Sequence, residues 1–150
     1  MKIIRSSPDS LELLVPLFDQ YRQFYKQRPD LQGARAFLSE RLRNGDSVVY
    51  IAFEDPGSRP IGFVQLYPSF SSVAMKPLYV LNDLFVTPVA RGHGVAEALI
   101  RQSIKHAQRA NARGIVLETA VDNAPARRLY EKLGWRQGEG FLTYKIDFEE

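Results

Sequence analysis

The residues with the clearest chemical meaning form a short loop, Arg91-Gly92-His93-Gly94-Val95-Ala96, between an apolar run that ends in Phe85-Val86 and an amphipathic segment. The order strand, loop, helix leaves unpaired backbone N–H groups at the positive end of a helix dipole. Small residues at positions 92, 94 and 96 let phosphate oxygens approach those groups closely. The pattern therefore predicts an anion site, although two glycines alone are more often a tight turn.

Several other chemistries are disfavoured because the sequence does not contain the residues or spacings they require. The loop has neither the lysine of a P-loop nor the spacing of the dinucleotide fingerprint, which disfavours a nucleoside triphosphate or NAD. There is no cysteine, hence no thiolate metal site, disulfide or cysteine nucleophile, so any thiol must come from a cofactor. The two histidines, His93 and His106, are expected at the surface and lack ligand spacing, so we predict no metal.

Hydrophobic periodicity predicts the elements that position this loop. Strands are expected at residues 3–4, 47–53, 61–67, 78–87, 115–120 and 141–148, and helices at 11–25, 34–43, 94–111 and 125–133. This order predicts one α+β or α/β domain over residues 1–150, with a mixed sheet and a right-handed β-α-β crossover in the second half.

Composition excludes some classes of partner. The chain has 150 residues, 45% of them hydrophobic and 25% charged, as in an ordinary globular domain. The net charge of +3 is spread along the sequence, which argues against nucleic-acid binding. No apolar run is long enough for a signal peptide or a membrane span, so we expect no membrane partner and a cytoplasmic location.

Two blocks of sequence together carry a family resemblance. The first is Asn82-Asp83-Leu84-Phe85-Val86 with the loop at 91–96, and the second is Asn123-Ala124-Pro125-Ala126-Arg127-Arg128-Leu129-Tyr130-Glu131-Lys132-Leu133-Gly134-Trp135. They resemble the GNAT superfamily of acyl-CoA-dependent N-acyltransferases, in particular its small-amine and polyamine branch. The resemblance implies a mostly antiparallel mixed sheet of six to seven strands with about four helices, and central strands that splay apart at the cofactor site.

The resemblance implies acetyl-CoA as co-substrate and acetyl transfer to a primary amine by direct attack in a ternary complex. The expected cofactor-binding residues are main-chain groups of Leu84, Phe85 and Val86 for the pantetheine arm, and Arg91, Gly92, His93, Gly94, Val95 and Ala96 for the pyrophosphate. Asn123 is a cofactor contact, a helix N-cap, or both. For the Arg91 side chain, a solvated surface position is nearly as good an interpretation.

Three residues are candidates for proton transfer. The motif match gives Tyr130 the role of protonating the departing thiolate, whereas helix periodicity alone favours packing beside Leu129 and Leu133. Asp83 and Glu118, on two strands expected to flank the cleft, could take the proton of the amine, but a salt bridge or a strand-end cap is an equally good interpretation.

The acceptor is the part that the sequence defines least. Tyr21, Tyr25 and Tyr67 could line its pocket beside Asn82, or could be core residues. Asn82 replaces a second acid of polyamine-acetylating relatives, which weakens a polyamine assignment. We favour a small-molecule amine; a protein lysine or N-terminal acetyltransferase and a non-catalytic acyl-CoA sensor stay open. The resemblance also implies a homodimer, with the 141–148 strand or its edge as one candidate interface.

Overall fold

The computed structural model describes residues 1–148, which form two compact units, Met1–Glu118 and a second unit that begins at Thr119. The strands are β1 (Lys2–Arg5), β2 (Val48–Phe53), β3 (Pro60–Ser71), β4 (Lys76–Val86) and β5 (Ile115–Val116); the helices are α1 (Leu11–Phe24), α2 (Leu31–Asn44), α3 (Val95–Arg109) and α4 (Ala124–Lys132). Single-domain organisation over 1–150 stays a prediction.

The first unit is built on one five-stranded sheet in the order β1-β2-β3-β4-β5. The first three pairings are antiparallel, and β4 and β5 are parallel because α3 connects them as a crossover. The mixed, mostly antiparallel sheet with four helices is therefore confirmed. The β5 strand pairs with β4 only opposite Tyr79 and Val80.

Helices α1 and α2 cover one face of the sheet and α3 covers the other. The first face holds a buried cluster of α1, α2 and strand residues: Leu14, Val15, Leu17, Phe18, Ala34, Leu38, Val49, Ile51, Phe53, Phe63 and Phe85. On the second face α3 approaches β3 at Gly62, where an added Cβ would lie 2.8 Å from the Phe85 carbonyl oxygen and 3.2 Å from Val95 Cγ1. Glycine thus sets how closely the start of α3 lies on the sheet.

A β-bulge in β4 decides which side chains face α1. Gln65 pairs with Asp83 but Leu66 pairs with Leu81, so Asn82 is an extra residue in β4. In a regular strand Asp83 would share the face of Leu81, toward α3, because side chains two apart point the same way. The extra residue instead places Asp83 on the face of Gln65, beneath α1.

Two strand predictions were wrong in extent. The sheet has five strands in residues 1–148 rather than six to seven, because residues 141–148 are not in a strand. The β5 strand is present but covers two residues instead of 115–120. Alternating side chains indicate a tendency to be extended, but a strand forms only where a neighbour completes its hydrogen bonds.

None of the helices among residues 1–148 has the length and apolar character that a membrane span requires.

His106 is another correction. It was expected at the surface, but Nδ1 lies 2.8 Å from the Tyr50 hydroxyl and the ring contacts Tyr79 edge-on at 5.3 Å between centroids. Partial burial, with Arg5 and Arg109 nearby, lowers its pKa. His106 is thus a packing residue of α3.

Candidate functional site

The centre of the candidate site is the Asp83 carboxyl group on β4. Asp83 is 3% exposed, and Asn82 Nδ2 donates to its Oδ1 at 2.9 Å. Gln65 Nε2, across the strand pair, donates to its Oδ2. Two amide donors thus hold a buried carboxyl group in one orientation, although neither supplies a positive charge.

The surroundings of Asp83 favour its protonated form. Burial raises the pKa of Asp83, and the contacts with Gln65, Asn82 and Tyr21 only partly oppose that rise. A carboxyl group with a raised pKa accepts a proton more readily than one in water. The arrangement is therefore chemically suited to take a proton from an amine.

Two tyrosines border this carboxyl group, one from α1 and one from β3. The Tyr21 hydroxyl donates to the Asn82 carbonyl oxygen at 3.3 Å, and burial together with the Asp83 charge raises its pKa. Burial and the same charge raise the pKa of Tyr67 to about 12. Both phenols therefore stay protonated near neutral pH and offer hydrogen-bond donors beside the acid.

Aromatic rings surround the Tyr21 side chain. Its ring lies 5.7 Å from the Phe63 ring and 5.1 Å from the Tyr25 ring, both in edge-on geometry. Tyr25 and its neighbour Phe24 are each 60% exposed at the end of α1. The cluster thus leads from exposed rings to the buried acid, an arrangement that suits an amine with an apolar or cationic body.

The open edge of β4 lies at residues 84–86. The Thr87 N–H donates to Ile61 O at 2.9 Å, and alternate residues of an antiparallel pair turn toward the partner. Phe85 therefore directs its N–H and C=O to β3, whereas Leu84 and Val86 direct theirs to the other edge. No strand in residues 1–148 covers that edge here, since β5 pairs only with Tyr79 and Val80.

The exposed Arg91 side chain lies over the end of β4. Its Nε donates to the Val86 carbonyl oxygen at 3.0 Å. Its guanidinium carbon is 5.6 Å from the Phe24 ring centre and 5.8 Å from the Phe85 ring centre. Arg91 thus connects the loop to the aromatic end of α1 and occupies one of the carbonyls at the open edge.

The loop before α3 has the backbone geometry that an anion site requires. Gly92 and Gly94 have φ angles of +82° and +81°, which side chains other than glycine rarely adopt. Gly94 is the N-cap, and its carbonyl oxygen accepts from the Ala98 N–H at 3.1 Å. The amides of Val95 and Ala96 precede that donor, so the helix cannot satisfy them itself. The exposed His93 turns Nδ1 toward the Ala90 carbonyl oxygen, at 3.3 Å.

The second unit contains the other two motif residues. Asn123 caps α4, because its side-chain oxygen accepts from the Ala126 N–H at 3.3 Å. The Tyr130 ring lies 5.8 Å from the Trp135 ring, and the main-chain N–H of Trp135 donates to the Tyr130 carbonyl oxygen at 3.0 Å. The cap was one of the two alternatives for Asn123, and the proton-donor role of Tyr130 stays a prediction.

The structure brings together four of the predicted site residues, Tyr21, Tyr67, Asn82 and Asp83. Glu118 is exposed and lies two residues beyond β5 rather than on a strand. No cluster of three or more potential metal ligands occurs among the described side chains.

Gln65 is the site residue that sequence reasoning missed. It is fully buried, and its Oε1 has no hydrogen-bond partner within residues 1–148. The available signal was a single polar residue within the apolar run at 61–67. Its partner Asp83 is 18 residues away along the chain, on the neighbouring strand next to the bulge, and no local pattern indicates that contact.

Comparison with known proteins agrees with this architecture. The acetyltransferase (GNAT) family profile matches residues 13–135. The uncharacterized N-acetyltransferase YhfO of Bacillus subtilis is 46% identical over 147 residues, 98% of this chain and 97% of that protein. A probable acetyltransferase of Haemophilus influenzae is 36% identical over 69% of this chain and 70% of its own length. A crystal structure of a probable acetyltransferase has a TM-score of 0.95 at 38% identity, covering 100% of this chain and 99% of that one. The chain therefore belongs to the GNAT family of acetyltransferases, which use acetyl-CoA, and is an acyltransferase.

Proposed function

We propose that this enzyme transfers the acetyl group of acetyl-CoA to a primary amine of a small, cationic or partly apolar molecule, with Asp83 as the proton acceptor. The observation that carries the proposal is the buried Asp83 carboxyl group, held by Gln65 and Asn82 and bordered by Tyr21 and Tyr67. Burial raises its pKa, and a base of raised pKa is better matched to proton transfer near neutral pH.

Cofactor binding is assigned to the two backbone features of β4 and α3. The pyrophosphate would accept hydrogen bonds from the loop at 91–96, including the amides of Val95 and Ala96 at the α3 N-terminus. The pantetheine arm would run along the open edge of β4 at Leu84 and Val86, where one main-chain N–H would polarise the thioester carbonyl. Phe85 would hold the edge in place rather than contact the arm, because its main-chain groups face β3 and its side chain lies in the buried cluster.

The reaction follows as an addition and elimination at the thioester carbon. The amine nitrogen forms the new C–N bond, the C–S bond breaks, and Asp83 takes the proton that leaves the nitrogen. A second proton must reach the departing thiolate, and we assign its donation to Tyr130. That assignment is supported by the sequence motif, whereas the assignment of Asp83 is supported by its contacts.

The choice of a small-molecule acceptor has two supports. The exposed rings of Phe24 and Tyr25 lead to the acid through the Tyr21 ring, and such surfaces suit cation–π contact with a compact ammonium compound. A streptothricin acetyltransferase of Escherichia coli is 33% identical over 73% of this chain, although the match spans only 59% of that enzyme.

Thiol release from acetyl-CoA tests the acceptor class. The panel pairs each diamine with a monoamine of the same carbon length, and adds amino acids, aminoglycosides, lysine peptides and peptides with free N-termini. We expect kcat/KM for the diamine to exceed that of its monoamine partner at least about tenfold, the effect of a single cation–π or charge contact. Faster release with the peptides than with any small amine would identify a protein acetyltransferase instead.

A further inference from the structure

A second group of polar side chains, at the end of α2 and just before β2, borders the candidate site. It consists of Arg41, Asp46 and Ser47, and we call it the polar subsite. Arg41 Nη1 lies 2.9 Å from Asp46 Oδ2, and Ser47 follows Asp46 directly. The charges of Arg41 and Asp46 act on the pKa of Tyr67, as does the charge of Asp83. Because such effects need short distances, the polar subsite and the proposed base lie beside the same phenol.

The register of the sheet places the polar subsite on the face of Asp83. Val49 pairs with Gln65, the side chain that holds Asp83. Ser47 and Tyr67 are each two residues from that pair, and side chains two apart along an extended chain share a face. Two residues of a strand span about 7 Å, so the polar subsite lies at roughly that distance from Asp83 along the sheet.

The polar subsite contains buried atoms whose hydrogen bonds are incomplete. Arg41 Nε, Asp46 Oδ1 and Ser47 Oγ are each buried and have no hydrogen-bond partner among residues 1–148. Ser47 is only 6% exposed, so bulk water reaches its hydroxyl poorly. Buried polar atoms in native proteins are nearly always paired, because an unpaired one loses its hydration without compensation. Three such atoms on neighbouring side chains therefore indicate an occupant that supplies the missing hydrogen bonds.

The polar subsite is held in shape by contacts outside it and is open at its rim. Arg41 Nη2 lies 3.1 Å from Glu40 Oε1, and the guanidinium carbon lies 5.4 Å from the Phe37 ring centre. The Asp46 N–H donates to the Arg41 carbonyl oxygen at 3.3 Å, and the Asp46 side chain is 41% exposed. A ligand can therefore approach from solvent and meet groups that are already positioned.

The free atoms of the polar subsite match a neutral hydroxyl group. Arg41 Nε can only donate a hydrogen bond, an ionised Asp46 can only accept one, and the Ser47 hydroxyl can do either. A ligand hydroxyl can accept from Nε and donate to Oδ1 at the same time. A charged ligand group is matched less well, because the guanidinium lies beside two carboxylates and a charge of either sign would meet a like charge.

We propose that the acceptor is a hydroxylated amine, whose hydroxyl group binds Arg41, Asp46 and Ser47 while its nitrogen lies at Asp83, roughly 7 Å away. This inference rests on the proposed acetyl transfer and narrows the class of its substrate. The three residues of the polar subsite are specificity residues, because they contact the distal end of the acceptor and not the reacting atoms.

Thiol release with matched pairs of amines tests the polar subsite. Linear amino alcohols of increasing length are each compared with the alkylamine that has the same number of heavy atoms. For the wild type, we expect kcat/KM for the amino alcohol to exceed that of its partner about tenfold at the length that spans roughly 7 Å, the effect of one or two hydrogen bonds. Ser47→Ala, and Arg41→Lys, which keeps the charge but removes Nε, should each reduce this ratio about threefold or more. Neither variant should change kcat/KM for the alkylamine.

Ser103→Ala is the matched control, because Ser103 is also buried but donates to the Leu99 carbonyl oxygen within α3. It should leave the ratio unchanged. A wild type that does not prefer the amino alcohol, or subsite variants that change both substrates equally, would overturn the proposal and mean that water alone fills the polar subsite. Release with neither class of amine would refute the proposed reaction itself, and this inference with it.

Calorimetry with CoA in place of acetyl-CoA measures acceptor binding without chemistry. The preferred amino alcohol and its alkylamine partner are titrated separately into the complex of the enzyme with CoA. Ser47→Ala should raise the Kd of the amino alcohol about threefold or more and leave that of the alkylamine unchanged, because only the hydroxyl loses a hydrogen bond. The same Kd for the amino alcohol in the wild type and in Ser47→Ala would overturn the proposal whatever the rate of turnover.

Discussion

The substitution Asp83→Asn isolates the proposed proton acceptor with little change of shape. Asparagine keeps the size of the side chain, and the Gln65 amide can rotate so that its Oε1, which has no partner among the described residues, accepts from the new amide. Asp83 is only 3% exposed, so bulk water reaches its position poorly. A positioned base is worth about 100-fold to 10,000-fold in rate, or about 2.7 to 5.5 kcal/mol of barrier. We therefore expect kcat to fall by at least 100-fold while the KM for acetyl-CoA changes little.

The pH dependence gives a second readout of the same substitution. The base must be ionised, so wild-type kcat/KM should fall as the pH drops through the raised pKa of Asp83. This fall is the acid limb of the pH profile, and the residual activity of Asp83→Asn should lack it. Stability should show the matching sign. A carboxyl group with a raised folded-state pKa contributes stability below its unfolded pKa that is lost as the pH rises through the folded pKa. In the Asp83→Asn variant, the free energy of unfolding should therefore no longer show this pH-dependent contribution.

Asp19→Asn is the matched control. Asp19 is also a buried carboxylate, 4% exposed, but it does not belong to the group formed by Gln65, Asn82 and Asp83. It accepts from the Asp30 N–H at 2.9 Å and from Gln23 Nε2 at 3.1 Å, and pairs with Arg22 at 3.3 Å. Its substitution should lower stability and leave kcat and the acid limb intact. Stopped thiol-release assays across pH, with urea unfolding alongside, measure both effects. If Asp83→Asn retains wild-type kcat and the same acid limb, Asp83 is not the base.

Three further substitutions test the remaining assignments. Gly94→Ala should cost about 1 kcal/mol of stability, measured by urea unfolding, because residue 94 has a positive φ, and it should raise the KM for acetyl-CoA severalfold in steady-state assays. The control Gly114→Ala, where there is open space and an ordinary backbone, should change neither quantity. Gly62→Ala should push α3 away from β3, cost about 1–3 kcal/mol and weaken acetyl-CoA binding measured by calorimetry. Tyr130→Phe should lower kcat at least about tenfold with unchanged acetyl-CoA affinity, and an unchanged kcat would remove Tyr130 from the mechanism.

Local signals in the sequence were sufficient for most of the elements. Asn123 caps a helix as short polar residues do at N-termini, and Gly45 ends α2 in the left-handed conformation that only glycine adopts easily. The loop at 91–96 was predictable because strand, glycines and helix follow one another directly. In each of these cases the interactions that form the feature lie within a few residues of it.

The parts that could not be predicted depend on distant contacts. The bulge at Asn82 turns Asp83 toward α1, and its signature is a shift of register with β3 rather than any local pattern. The hydrogen bond between Gln65 and Asp83 joins β3 and β4 beside that bulge.

The central claim is tested most directly by measuring thiol release and amine acetylation in the same reaction. Acetyl-CoA and the best amine of the panel are incubated with the wild type. The thiol released from acetyl-CoA is titrated, and the mass of the amine product is measured by mass spectrometry. We predict one thiol released per acetyl group found on the amine nitrogen, with release dependent on the amine. Thiol release at the same rate without any amine, or an amine that gains no acetyl group, would contradict direct transfer to an acceptor beside Asp83.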